Sequence, residues 1–160
     1  MSWIENIALT DVANGYHHEA GINSMLIRIY DPCPTWKPEP KYKFKEVHEF
    51  EFLDLEDADP IKDDALKITD KQAEELVRLL RHALANHMNV VVHCVAGICR
   101  SGAIAEVGVM MGFNDAGKWR SPNRRVKHKM MNVLELPYNE SESHNWRADY
   151  RKLLREQPDS

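Results

Sequence analysis

One stretch of this chain gathers residue types that do chemistry together: Val90-Val91-Val92-His93-Cys94-Val95-Ala96-Gly97-Ile98-Cys99-Arg100-Ser101-Gly102. A short β-branched run, of the kind found in buried strands, delivers a cysteine. Five residues follow it, then an arginine, and the stretch 101–111 reads as a largely buried helix. A tight loop between a strand end and a helix start turns successive backbone amides inward and forms an anion-binding nest. The helix adds its unsatisfied amides and the positive end of its dipole. Gly97 and Gly102 permit backbone angles that other residues resist. Such a concavity suits a phosphate dianion.

Cys94 is expected at the bottom of that concavity. Amides and a helix dipole stabilise a thiolate, and such settings lower a cysteine pKa from about 8.5 to roughly 3.5–7.5. The thiolate is the competent nucleophile. The planar fork of Arg100 bonds two phosphate oxygens at once and stabilises charge during phosphoryl transfer. Val95, Ala96, Gly97, Ile98, Cys99, Arg100 and Ser101 then form the phosphate-binding turn, with Ser101 able to donate to the sulfur. His93 is assigned to orienting the loop through hydrogen bonds rather than to proton transfer.

The elements that must position this loop are readable in part. Residues 3–9 and 25–30 have strand composition. Four prolines between Pro32 and Pro40 mark an irregular loop, which also holds Cys33 without a visible role. Residues 47–53 alternate apolar and polar, and an acidic loop runs from Asp54 to Asp64. Thr69-Asp70-Lys71-Gln72 is a capping box opening a helix with Ala73, Leu76, Val77, Leu80 and Leu84 on one face. It stops at residues 86–89. Pro122 fits the first turn of a helix over 122–135, and 145–155 suggests a last one. Strands mixed with helices predict an α/β architecture with helices covering a sheet.

His-Cys, five residues, then Arg-Ser-Gly resembles the signature of the cysteine-based protein tyrosine and dual-specificity phosphatases. Residues 93–102, HCVAGICRSG, match it throughout, including an Ala-Gly pair typical of dual-specificity-like members. Residues 26–32, the strand into Asp54 and the start of the helix at Pro122-Asn123-Arg124-Arg125-Val126 also look like compact bacterial and viral members. The similarity thus covers roughly residues 20–135. It implies a central, mostly parallel sheet flanked by helices, with a strand–phosphate loop–helix core. It also implies phosphate monoester hydrolysis through a cysteinyl-phosphate, with no cofactor or metal. The family's proton donor is an aspartate on a loop upstream of the cysteine. Asp54, which directly follows the alternating strand, is the first choice, and Asp57 the next. Asp59, Asp63 and Asp64 share that loop; Asp63 lies nearer the family's spacing but deep in an insertion-like region.

Cys99 stands where the closest relatives usually carry serine. The low-molecular-weight tyrosine phosphatases resemble this chain in having a second cysteine there, although their loop lies at the N-terminus. A protective disulfide with Cys94 and a small side chain packed behind the loop are the two readings, the second favoured. Lys118, Arg120, Arg124, Arg125, Lys127 and Lys129 form a basic run that either receives anionic substrate flanks or is one solvated helix face, the second again favoured. Trp119 either lines the site or covers the core. His17, His18 and His144 show no ligand spacing.

The totals bound the rest. The 160 residues are expected to form one domain spanning 1–160. A net charge of −4 gives no reason to expect nucleic acid or an anionic membrane as partner. No apolar run approaches the roughly 20 residues that span a bilayer, and the start does not resemble a signal peptide, so a cytoplasmic location is expected. The expected partner is a phosphorylated protein or peptide, with phosphotyrosine as the first target and phosphoserine or phosphothreonine as further ones. Phosphoinositide and RNA 5′-triphosphate phosphatases use the same loop. The lipid-directed ones tend to carry lysines in it, whereas Val95, Ala96 and Ile98 are uncharged. A sulfurtransferase fits the Arg-Ser-Gly frame less well. A phosphoprotein-binding module without catalysis would not require both Cys94 and Arg100.

Overall fold

Apolar continuity sets the centre of the sheet. In the computed structural model, which describes residues 2–15, 18–59 and 66–137, two strands are almost wholly buried: β2 (Ser24–Tyr30) and β4 (Asn89–Cys94). Burial on both faces is what a run such as Met25-Leu26-Ile27 or Val90-Val91-Val92 requires. Around them lie β1 (Trp3–Ala8), β3 (Glu46–Glu51) and the short β5 (Asn114–Asp115), in the order β3-β2-β4-β1-β5. All four pairings are parallel, with Arg28 of β2 opposite both Glu49 of β3 and His93 of β4.

Parallel strands need long crossovers: α1 (Leu9–Asn14), α2 (Asp70–Ala85) and α3 (Arg100–Met111) lie in three of them, residues 31–45 join β2 to β3 without a helix, and α4 (Arg124–Val133) completes the α-helices among the described residues. Because side chains alternate along a strand, the sheet divides into two cores. Ile4, Met25, Ile27, Ile29, Val90, Val92 and Cys94 share one core with α2, α3 and α4. Ile7, Leu26 and Val91 share a smaller one with Val12, Ala20 and Phe44. No helix among the described residues is long and apolar enough to cross a membrane.

The capping box opens α2 as its sequence requires: the Gln72 amide donates to Thr69 Oγ1 at 3.2 Å, and the Thr69 amide to Gln72 Oε1 at 2.9 Å. Three boundaries differ from the sequence reading. The first strand ends at Ala8, because Leu9 starts α1 and Asp11 Oδ2 accepts from the Ala8 amide at 3.0 Å. The alternating strand covers Glu46–Glu51 and puts Val47 on its exposed side. The helix expected over 122–135 starts later, since Asn123 caps it by accepting from the Val126 amide at 3.0 Å, which leaves Pro122 ahead of the cap. The helix expected over 145–155 lies outside the described residues, as do His17, His144, Asp63 and Asp64.

Candidate active site

Cys94 is the last residue of β4, and Arg100 is the first of α3. The loop between them is fixed from three sides. From β1, Asn6 Nδ2 donates to the Gly97 carbonyl at 2.8 Å, and the Leu9 amide donates to the Val95 carbonyl at 3.3 Å. From the segment after β5, the Ser121 amide reaches Ile98 O at 3.2 Å and the Asn123 amide reaches Cys99 O at 3.0 Å. Gly97 has φ +75°, and a Cβ there would lie 2.4 Å from the Ile7 carbonyl carbon, so only glycine lets the loop lie against β1.

These constraints aim polar groups at the sulfur. Cys94 Sγ accepts from the Gly97 amide at 3.2 Å and lies 3.1 Å from Ser101 Oγ. Its residue is only 2% exposed, so the sulfur's environment is protein rather than solvent. Val95 and Ala96 are exposed and Ile98 and Cys99 half-buried along the loop. Cys33, Cys94 and Cys99 form no disulfide among the described residues.

Arg100 is buried and held by one end of its guanidinium. Nη1 donates to Asp31 Oδ1 and to the Phe52 carbonyl, both at 2.7 Å. Nε is buried and has no hydrogen-bond partner among the described residues. A buried donor without an acceptor is costly, and this edge of the fork has the capacity for one more hydrogen bond. Asp31 was not among the sequence candidates; Asp31-Pro32 reads only as the end of a strand.

The acidic loop sorts its carboxylates by partner. Asp54 is exposed, and its Oδ1 accepts from Asn123 Nδ2 at 2.7 Å. Asp57 pairs with Arg125 at 2.6 Å, and Asp59 Oδ2 accepts from the Glu56 amide at 2.5 Å. The structure thus ties Asp57 into α4, while Asp54 is bound to the residue whose own amide holds Cys99 O.

The basic run is neither a solvated face nor an open docking strip. Lys118 faces Asp11 at 3.8 Å, and Arg120 bridges Glu106 and Asp115, each at 2.9 Å. Arg124 pairs with Glu56, Lys127 faces Glu106 at 3.8 Å, and Lys129 pairs with Asp70 at 2.6 Å. The physical reason is that α4 packs against the acidic loop, α2 and α3, so its cations meet the carboxylates of all three. Trp119 is 40% exposed.

Three comparisons bear on this arrangement. Residues 48–112, which run from β3 through α3, match the family model described as Tc-R-P, polymorphic toxin system, DSP-PTPase phosphatase. No curated protein is recognisably similar in sequence. Among solved structures, human DUSP28 superposes with a TM-score of 0.50 at 13% identity, covering 97% of this chain and 95% of that one. The human tyrosine phosphatase-like serine/threonine/tyrosine-interacting protein gives a TM-score of 0.52 at 15% identity, covering 92% of both chains. At such identities the likeness is one of fold.

Proposed function

We propose that this chain is a cysteine-based phosphatase of the protein tyrosine and dual-specificity type, a reading supported by the family match over residues 48–112, and that it hydrolyses phosphate monoesters on proteins, phosphotyrosine first and phosphoserine or phosphothreonine besides. The observation that carries this reading is the pairing of a buried sulfur, 3.2 Å from the Gly97 amide and 3.1 Å from Ser101 Oγ, with an arginine whose buried Nε lacks an acceptor.

The reaction runs in two displacements. The Cys94 thiolate attacks phosphorus, and the ester P–O bond breaks while Arg100 and the loop amides take up the charge on the phosphoryl oxygens. Asp54 gives its proton to the departing oxygen. Water then attacks the cysteinyl-phosphate, the P–S bond breaks, and the deprotonated Asp54 accepts the water's proton. The departing sulfur is stabilised by the Gly97 amide and the Ser101 hydroxyl. The products are the free hydroxyl and inorganic phosphate.

The uncharged Val95, Ala96 and Ile98 support a protein substrate over a polyanionic lipid headgroup. The test is hydrolysis of p-nitrophenyl phosphate, blocked by vanadate and unaffected by EDTA, followed by a phosphopeptide panel beside phosphoinositides and RNA 5′-triphosphate. Cys94→Ser is expected to abolish turnover and keep vanadate or phosphate binding. Retained turnover in that variant contradicts the mechanism, and preference for the lipid or the RNA contradicts the substrate class.

A further inference from the structure

On the face of the sheet opposite the Cys94 side chain, a charged residue interrupts an apolar strand. Arg28 of β2 is 5% exposed, and its hydrogen bonds reach a ring nitrogen and a carbonyl: Nε donates to His93 Nε2 at 3.0 Å and Nη2 to the Pro38 carbonyl at 2.5 Å. Tyr30 closes the cluster, with its ring 5.3 Å from the Arg28 guanidinium carbon and edge-on to His93 at 5.2 Å. Burying a guanidinium this far is costly unless its surroundings compensate it. Among the described residues, the carboxylates near it are bonded elsewhere. From β3, Glu49 stands opposite Arg28 in register, but its carboxylate is bonded to Lys37 at 2.6 Å. Lys37 itself lies over the Tyr30 ring. Asp31, at the end of the same strand, is bonded to Arg100. From β4, the residues at this end are His93 and Cys94.

An arginine Nε–H can only donate. His93 Nε2 must therefore accept, which makes the ring neutral and puts its proton on Nδ1. Resting on the phosphatase reading above, we propose that Arg28 is a positioning residue that locks His93 as the neutral Nδ1–H tautomer and thereby fixes the end of β4 from which Cys94 enters the phosphate loop. The same guanidinium fastens the proline-rich loop through Pro38, so one buried side chain ties together the strand beneath the cysteine and the loop that carries Asp31. Burial holds the Tyr30 phenol above its ordinary pKa, so the ring packed on His93 stays uncharged.

The imidazole nitrogen-15 shifts of His93 in the wild-type chain at neutral pH test this directly, with the signal assigned by its loss in His93→Asn. The expected pattern is one protonated nitrogen at Nδ1 and one bare nitrogen at Nε2; a protonated Nε2 overturns the proposal, whether or not any variant folds. Arg28→Met is expected to release the tautomer preference and lower kcat/KM about tenfold, the scale of one hydrogen bond. Arg28→Gln, a neutral donor, is expected to restore much of both. Wild-type kcat/KM and an unchanged tautomer in Arg28→Met also overturn it. The wild-type shifts do not depend on turnover, so a chain with no activity on p-nitrophenyl phosphate sinks the enzymatic reading separately.

Discussion

Asn123 Nδ2 donates to Asp54 Oδ1 at 2.7 Å, across 69 residues of sequence. The same amide group also reaches the Leu55 carbonyl at 3.1 Å, while Oδ1 accepts from the Val126 amide and caps α4. Asn123 is fully buried, and its backbone amide holds the Cys99 carbonyl of the loop between Cys94 and Arg100 at 3.0 Å. One side chain therefore joins the acidic loop to the cysteine loop.

Asp54→Asn is expected to slow turnover of a poor leaving group by two to four orders of magnitude, about the range of general acid catalysis, and an activated aryl phosphate much less. An alkyl phosphate and p-nitrophenyl phosphate, measured side by side, supply the comparison. Equal wild-type rates on both remove Asp54 from the mechanism.

Asn123→Ala removes a helix cap worth about 1 kcal/mol and frees Asp54 from its anchor. The melting temperature should fall by about 2–4 °C per kcal/mol lost. Turnover of the poor leaving group should fall with it, measured well below the new midpoint where the variant is folded. A variant that melts early yet keeps the full wild-type discrimination between leaving groups shows the anchor to be structural alone.

The loop 93–102 was legible because its chemistry is local: strand, cysteine, glycines, arginine and helix are contiguous, and contiguous residues share one turn. The order of the sheet was not. Strands β1 and β4 are neighbours although more than 80 residues separate Trp3 from Asn89, and no periodicity records that. Helix α1 escaped notice because six residues, with only Leu9 and Val12 buried, are too short to show a repeat. Arg28 did leave a signal, a cation inside Met25-Leu26-Ile27-Arg28-Ile29-Tyr30, but its meaning depends on His93 in the adjacent strand. The cations of α4 read as a solvated face because their carboxylate partners lie elsewhere in the chain.

Gly97→Ala should disable the loop. The left-handed backbone costs about 1–2 kcal/mol for a residue with a Cβ. The clash adds to it: the new atom would lie 2.4 Å from Ile7 C and 2.5 Å from Ala8 N, backbone that the sheet holds in place. Activity on p-nitrophenyl phosphate is expected to drop at least about a hundredfold, since an ångström of misplacement costs on that order. Near-normal kcat would mean that the loop does not need this approach to β1.

Asp31 restrains Arg100 from the exposed side of an otherwise buried pair, with side chains 54% and 6% accessible respectively. Water can replace the lost carboxylate in Asp31→Ala, so the stability change should stay within about 1 kcal/mol. The guanidinium, left with the Phe52 carbonyl on Nη1, should lose its fixed angle. A fall in kcat/KM of about tenfold and weaker inhibition by vanadate are expected, with Asp31→Asn between the two because it keeps one acceptor oxygen. Unchanged vanadate inhibition in Asp31→Ala would show that Arg100 keeps its position without this partner.

The segment that straps over α3 supplies a pH-dependent test. Arg120 bonds both oxygens of Asp115 and Glu106 besides, and its Cβ packs where a side chain at Gly102 would stand. Arg120's hydrogen bonds, helped by the Gly117 amide, hold the Asp115 carboxyl below the usual carboxylate range despite partial burial. A carboxyl depressed in the folded state stabilises the fold fully above its unfolded value of about 3.9, and that contribution is lost as pH falls through the folded value. Wild type should therefore melt above Asp115→Asn at neutral pH, by an amount corresponding to no more than about 1 kcal/mol for a partly exposed pair. The gap should close in acid below about pH 4. Glu5, which burial pushes up, acts with the opposite sign but is common to both proteins and cancels in the difference. Melting curves taken across that range decide it: a gap that widens in acid, or none at neutral pH, would mean that the strap does not draw stability from this pair.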